Sequence, residues 1–229
     1  MRRHNGLSAT KKSHLFKQRE CSQFDPLFVS NRLSFQQETL ALLGLERRVI
    51  DTHHYDAVIA PEIYASSVPH TATPWVTHYL RKVFLPLLSV LKQKRRIYVS
   101  RRDASKRRII NEEEILRILE RYGFERVELG ALPLLEQMAL FRGAEAIVAP
   151  HGAGLSHIAF CDPKTVLLEC FAPRLINQCY REVSKHLELH YTSLLGEREQ
   201  GCAIDPDFEV NPAHLEAACE LMFRKSSHL

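Results

Sequence analysis

A chain of 229 residues has room for one large domain or two small ones. Its composition, 45% apolar, 25% charged and 8% aromatic, is that of a soluble globular protein and excludes a disordered chain, a collagen and a coiled-coil rod. The net charge of +4 is unevenly spread: residues 1–24 carry six Lys/Arg against Glu20, residues 92–108 carry nine against Asp103, and the remainder sums to −9.

Residues 1–24 lack apolar periodicity and read as a basic flexible tail. The tail has no apolar stretch of the kind a secretory signal needs, so a cytoplasmic protein is expected. Residues 25–91 follow as an irregular region. Phe35–Leu43 is a short helix closed by Gly44, Asp56–Pro61 a brief buried strand, and Trp75–Leu91 a longer helix bent at Pro86. The longest apolar run, Val83 to Leu91, is too short to span a membrane. From residue 92 the pattern is regular. Strands are predicted at 97–100, 126–129, 146–149, 165–170 and 189–194; helices are predicted at 111–122, 133–142, from Ala153, at 178–186 and at 213–223. Asn111 stands where it can cap the first of these helices, Glu112, Glu113 and Glu114 fill its positive first turn, and Gly123 closes it. Strands alternating with helices predict an α/β fold, a doubly wound parallel sheet covered on both faces over residues 92–229. The six cysteines (Cys21, Cys161, Cys170, Cys179, Cys202, Cys219) form no CxxC pair and are expected to be reduced and mostly buried.

Ligands of open parallel sheets bind beyond the carboxyl ends of the strands, and three unusual segments fall there. Ser100-Arg101-Arg102-Asp103-Ala104-Ser105-Lys106-Arg107-Arg108 follows the first predicted strand, and its guanidinium groups suit the paired oxygens of a diphosphate; a solvated basic loop is the plainer alternative. Pro150-His151-Gly152-Ala153-Gly154-Leu155-Ser156-His157 joins a strand to a helix. Its glycines admit close backbone approach and its helix start offers N–H groups to an anion, though a tight turn alone also uses glycine. His151 is open to roles from hydrogen-bond donor to packed ring, whereas His157, a turn into the helix, reads as packing. Glu169 ends an apolar strand, where an acid holds ribose hydroxyls, caps a nearby helix or pairs with an arginine. Together the segments describe a nucleotide-diphosphate pocket. No Walker motif and no first-strand dinucleotide fingerprint are present, and no acid pair or His/Cys cluster offers a metal site. Nucleic acid is not the expected partner, because the basic loop has no aromatic interleaving beyond Tyr98.

The order and spacing of Ser100-Arg101, Arg107-Arg108-Ile109-Ile110-Asn111-Glu112, Ile147-Val148-Ala149-Pro150-His151-Gly152-Ala153-Gly154-Leu155 and Leu168-Glu169 resemble glycosyltransferase family 61. That family spans bacterial polysaccharide enzymes, plant xylosyltransferases and EGF-domain O-GlcNAc transferases. Phe35 to Gly44 also resembles its interdomain region. The resemblance implies a GT-B architecture of two Rossmann-like halves. The C-terminal half would bind a nucleotide-sugar, usually a UDP-sugar, without a metal or other cofactor, and pass the sugar with inversion to a hydroxyl of a glycan or protein acceptor. Carried over by position, Arg101 and Arg107 contact the diphosphate, with Arg108 a substitute. Asn111 and Glu112 shape the loop, His151, Gly152, Ala153 and Gly154 line the phosphates, and Glu169 holds the ribose. The N-terminal half is expected to be largely missing, so that residues 25–91 are a remnant of it and the chain is a truncated product or one awaiting a partner. No catalytic base is assigned, His151 being the nearest candidate. The alternative is an inactive nucleotide-sugar-binding module.

Overall fold

A computed structural model of the chain describes residues 7–9, 15–16, 26–54, 58–59, 73–89, 93–201 and 204–224. The chain divides into two compact units, Met1–Val68 and Pro69–Leu229. The second is built on five strands, β1 (Arg95–Ser100), β2 (Phe124–Glu128), β3 (Ala144–Pro150), β4 (Val166–Phe171) and β5 (His190–Leu195). All neighbouring pairs are parallel, in the order β5-β4-β3-β1-β2. This is the Rossmann-like α/β sheet that the strand and helix alternation predicts.

Five helices accompany the sheet: α1 (Pro74–Phe84), α2 (Glu112–Arg121), α3 (Leu134–Arg142), α4 (Cys179–His186) and α5 (Pro212–Arg224). Successive residues of a strand point to opposite faces, and the core divides accordingly. On one face Tyr98, Val148 and Leu168 pack with Leu116 and Leu119 of α2 and Leu215 and Met222 of α5. On the other, Val99, Ile147 and Leu167 pack with Phe141 of α3, Val183 of α4 and Ile158 of a 3-10 helix at Ala153–Phe160. That 3-10 helix stands where a short helix is predicted. Helix α1 adds to this second side: Phe84 meets Phe160 edge-on with ring centroids 6.1 Å apart, and Arg81 donates to the carbonyls of Ala159 and Cys161 at 2.8 Å each.

Local chemistry explains the boundaries. Helix α2 starts with three acids in the turn where the helix dipole is positive and ends before Gly123, which takes the left-handed conformation at φ +77°. Asn111 precedes it but does not cap it. Instead its amide brackets Val210, donating to its carbonyl at 2.8 Å and accepting from its N–H at 3.0 Å. Helix α1 gives way at Phe84 to a 3-10 turn, Leu85–Leu87, because Pro86 brings no N–H to continue the ladder. Two short antiparallel strands, β6 (Glu199–Gln200) and β7 (Asp207–Phe208), were not legible from periodicity; two residues are too few to show one.

The first unit holds a helix, Ser34–Leu42, with the side chain of Gln36 accepting from the Leu33 N–H at 3.0 Å. A parallel pair joins Leu27–Val29 to Val49–Asp51. Leu7–Ala9 pairs antiparallel with both Leu15–Phe16 and Val58–Ile59. The first two of those strands lie within the stretch read as a tail, whose other residues fall outside those described, as do most of 56–61. Among the described residues no helix is long and apolar enough to cross a membrane. Cys161, Cys170 and Cys219 are buried free thiols and Cys179 is a half-buried one, burial pushing the Cys219 thiol up to about 11; Cys21 and Cys202 lie outside the described residues.

Leu119 of α2 has no exposed surface. Leu119→Ala is expected to lower the unfolding free energy in urea by about 2–5 kcal/mol, whereas Leu221→Ala, on the exposed side of α5, is expected to change it by less than about 0.5 kcal/mol.

Candidate functional site

In the order β5-β4-β3-β1-β2 the chain reverses its winding between β1 and β3. Strand β1 leads into α2 on one face of the sheet, and β3 leads into the 3-10 helix on the other. Their loops diverge at the carboxyl ends, which is the place where open sheets of this kind bind ligands. The basic loop and the His151–Gly154 turn flank it.

Arg101, the first residue past β1, lies across the backbone of Gly152. A Cβ at position 152 would overlap the Arg101 Nη1 and stand 2.9 Å from its Cζ, so only glycine leaves the guanidinium this place. Gly154 packs closely on the strand-end wall, where a Cβ would fall 2.8 Å from Leu129 Cδ1 and push that side chain aside. Arg101 donates from Nε and Nη2 to the Lys106 carbonyl at 3.3 and 3.2 Å. Burial, and then the neighbouring Arg107 charge, push the Arg101 guanidinium below its usual pKa. Arg107 itself adopts a left-handed backbone at φ +59°, a strained state for a residue with a side chain. Its Nε is buried without a hydrogen bond, the nearest carboxylate oxygen being Asp205 Oδ1 at 3.4 Å. Asp205 also takes Lys106 Nζ at 2.5 Å, and that hydrogen bond holds its carboxyl below the usual range.

Arg108 and Asn111, expected in the same pocket, turn elsewhere. They line a separate groove of about 570 Å³ bounded also by Arg102, Glu112 and Asp207. The charges of that groove are matched internally. Asp207 accepts from Arg108 Nε and Nη2 at 2.9 and 2.7 Å, Arg102 donates to Glu113 at 2.8 Å, and Asn111 donates to Glu114 at 3.0 Å. Glu112 is buried; its Oε1 accepts from Tyr98 at 2.8 Å and Ser100 at 2.7 Å. Burial, and then that carboxylate, push the Tyr98 hydroxyl well above its usual pKa. Glu112 thereby fixes Ser100, the residue from which the basic loop departs.

Glu169 has no exposed surface and offers no atom to a ribose. Its Oε1 meets His151 Nδ1 at 2.5 Å and its Oε2 accepts from the Tyr191 hydroxyl at 2.8 Å. A carboxylate only accepts, so Nδ1 of His151 carries the proton and Nε2 is left as the imidazole's second polar atom. The ring stacks on Phe171 at 5.2 Å between centroids and meets Tyr180 at 5.4 Å, and the backbone N–H of His151 donates to the Cys170 carbonyl at 2.8 Å. Tyr180 feels both the Arg101 and Arg107 charges, which ties His151 to the arginine side of the crevice. Tyr180, Tyr191 and Asp205 were not singled out from sequence. Each lies well apart from the motifs it touches, and only register reveals Tyr191, on the strand neighbouring Glu169. His157 is packed, as expected: it sits between Phe141 and Phe160 with Nε2 2.8 Å from Gln137 Oε1.

The model of the family described as Glycosyltransferase 61 matches residues 13–168, more than half of the chain. The match contains Arg101, Arg107 and the His151–Gly154 turn and stops one residue short of Glu169. Among curated proteins, the EGF domain-specific O-linked N-acetylglucosamine transferase of Drosophila melanogaster is 29% identical over 164 residues, which are 70% of this chain and 30% of that protein. The chain therefore spans about a third of that relative's length. Among solved structures, a mutant flavo di-iron protein from Thermotoga maritima overlaps 66% of this chain and 39% of its own at 12% identity, with a TM-score of 0.37, too low to bear on the fold.

Burial lowers the His157 pKa to about 4, from an ordinary value near 6.5. Between those values the unfolded chain takes up a proton that the folded one refuses, so this residue's share of stability, intact above pH 6.5, is lost as pH falls towards 4. The expected loss is about 3 kcal/mol. In urea unfolding followed from pH 7 to 4, His157→Gln is expected to flatten the decline by that share; an unchanged slope would show that His157 titrates normally.

Proposed function

Because the chain belongs to glycosyltransferase family 61, we propose that Pro69–Leu229 is the donor-binding half of a two-domain GT-B enzyme that moves a sugar from a UDP-sugar to a hydroxyl of a glycan or protein. The observation that carries this reading is the arginine pair. Arg101 and Arg107 act on one another at the switch point of the sheet, the first depressed in pKa by burial and then by its neighbour, the second holding a buried Nε without a hydrogen bond. Like charges held together in a partly dry crevice favour an anion with two charged centres. The groove beside it, with its charges already paired, has no such need.

In the proposed reaction the acceptor oxygen attacks the anomeric carbon as the bond to the β-phosphate breaks, which inverts that carbon. The departing UDP gains negative charge as it leaves, and the preset guanidinium groups, with the first N–H groups of the turn at Ala153 and Gly154, stabilise that gain without a bound metal. Donors of this kind contribute on the order of 3–4 kcal/mol each in well-studied sites. His151 is the candidate to receive the acceptor's proton at Nε2, since Glu169 and Tyr191 fix its tautomer and ring. Glu169 is in this reading a positioning residue and not the ribose ligand. The alternative, a nucleotide-sugar-binding module without transfer, shares this site and differs from the first reading only in turnover.

Calorimetry with UDP is expected to show binding that Arg101→Ala weakens by about tenfold or more, the worth of a charge-assisted hydrogen bond. Arg117→Ala, on exposed α2 surface, is expected to leave binding unchanged, as is a chelator. Equal affinities of Arg101→Ala and the parent would overturn the assignment. Turnover of UDP-sugars with a panel of glycan acceptors separates the two readings, binding without turnover selecting the module.

A further inference from the structure

We propose that Asp205 is an internal competitor for the proposed donor diphosphate, a carboxylate that occupies part of the arginine site at rest and speeds the departure of the nucleotide. This rests on the donor-site reading of the crevice. Two acids two residues apart meet the basic loop, and they meet it differently. Asp207 holds Arg108 in a finished pair: two guanidinium donors at 2.9 and 2.7 Å and the Arg108 N–H at 2.8 Å. Asp205 stands 3.4 Å from a buried Arg107 Nε that has no hydrogen bond, and its close partner is the half-exposed Lys106. The first contact anchors; the second is incomplete and can be exchanged.

The anchor also explains why Asp205 stays at the site. Phe208, three residues on, donates its N–H to the Arg108 carbonyl at 3.0 Å and accepts the Ile110 N–H at 2.8 Å, so β7 is laid along the basic loop. The segment before β7 can move only a short way while it is held there. Lys106, Arg107 and Arg101 bring three positive charges against the two negative ones of Asp205 and of Asp103, which also acts on Arg101, leaving about +1 for a ligand. A phosphate reaching Arg107 must displace that carboxylate or lie beside it, and like charges in contact repel. When the ligand leaves, the carboxylate returns to Lys106 and Arg107. A site of bare arginines would hold UDP more firmly, and release of product limits turnover in many enzymes.

The test is calorimetry and stopped-flow release of UDP, with inorganic pyrophosphate as a second probe, on the parent, Asp205→Asn and Asp205→Ser, each first checked by thermal melting. Both variants are expected to bind UDP and pyrophosphate at least about threefold more tightly and to release UDP correspondingly more slowly. Unchanged or weaker binding in folded variants, beside measurable binding by the parent, overturns the competitor role and makes Asp205 a support for Arg107. Should either variant fail to melt cooperatively, the other carries the comparison, and failure of both assigns Asp205 to the fold and likewise overturns the proposal. Absence of binding by the parent and both variants would instead remove the donor-site reading itself.

Discussion

The reversal of winding between β1 and β3 is the constraint on which the site depends. A parallel sheet buries both faces, so each strand's exit loop must climb over the sheet's carboxyl edge towards one face or the other. Where neighbours in the sheet exit to opposite faces, no helix fills the space between them, and polar backbone stays reachable. Arg101 enters that space from β1, and Gly152 clears room for it from β3. A side chain at either position of another size or charge would close the crevice or empty it of charge.

Two buried carboxylates hold the walls of this crevice from beneath. Glu112 gathers Tyr98 and Ser100 under the start of the basic loop, and Glu169 gathers His151 and Tyr191 under the opposite wall. Buried acids are stable only when their oxygens are satisfied, and removing a partner from a buried charge costs several kcal/mol. Both are therefore committed to orienting their neighbours. The arginines are held by longer contacts, Arg101 to the Lys106 carbonyl at 3.3 Å and Arg107 beside Asp205 at 3.4 Å.

The architecture of the second unit could be read from residues 92–229 because helical and strand periods there agree with their punctuation: acids at the start of α2, Gly123 at its end, apolar runs for β3 and β4. Placement of the motifs at strand ends was equally legible. Which way each side chain turns was not. Arginines of one loop divide between a crevice and a groove, since consecutive residues of an irregular loop share no period, and Arg108 is claimed by Asp207, 99 positions away. Asn111 has the residue type and position of a helix cap, yet tertiary contact with Val210 takes its amide. Glu169 has the strand-end position of a ribose ligand, but its own strand buries it, and the register with β5 supplies Tyr191 as a partner.

A crystal structure of the chain with UDP bound tests the central claim most directly. The expected result is a diphosphate in the crevice between the basic loop and the Gly152 turn, its oxygens about 3 Å from the guanidinium nitrogens of Arg101 and Arg107. A diphosphate seated in the groove of Arg102, Arg108 and Glu112, or no bound nucleotide at saturating concentration, would contradict it.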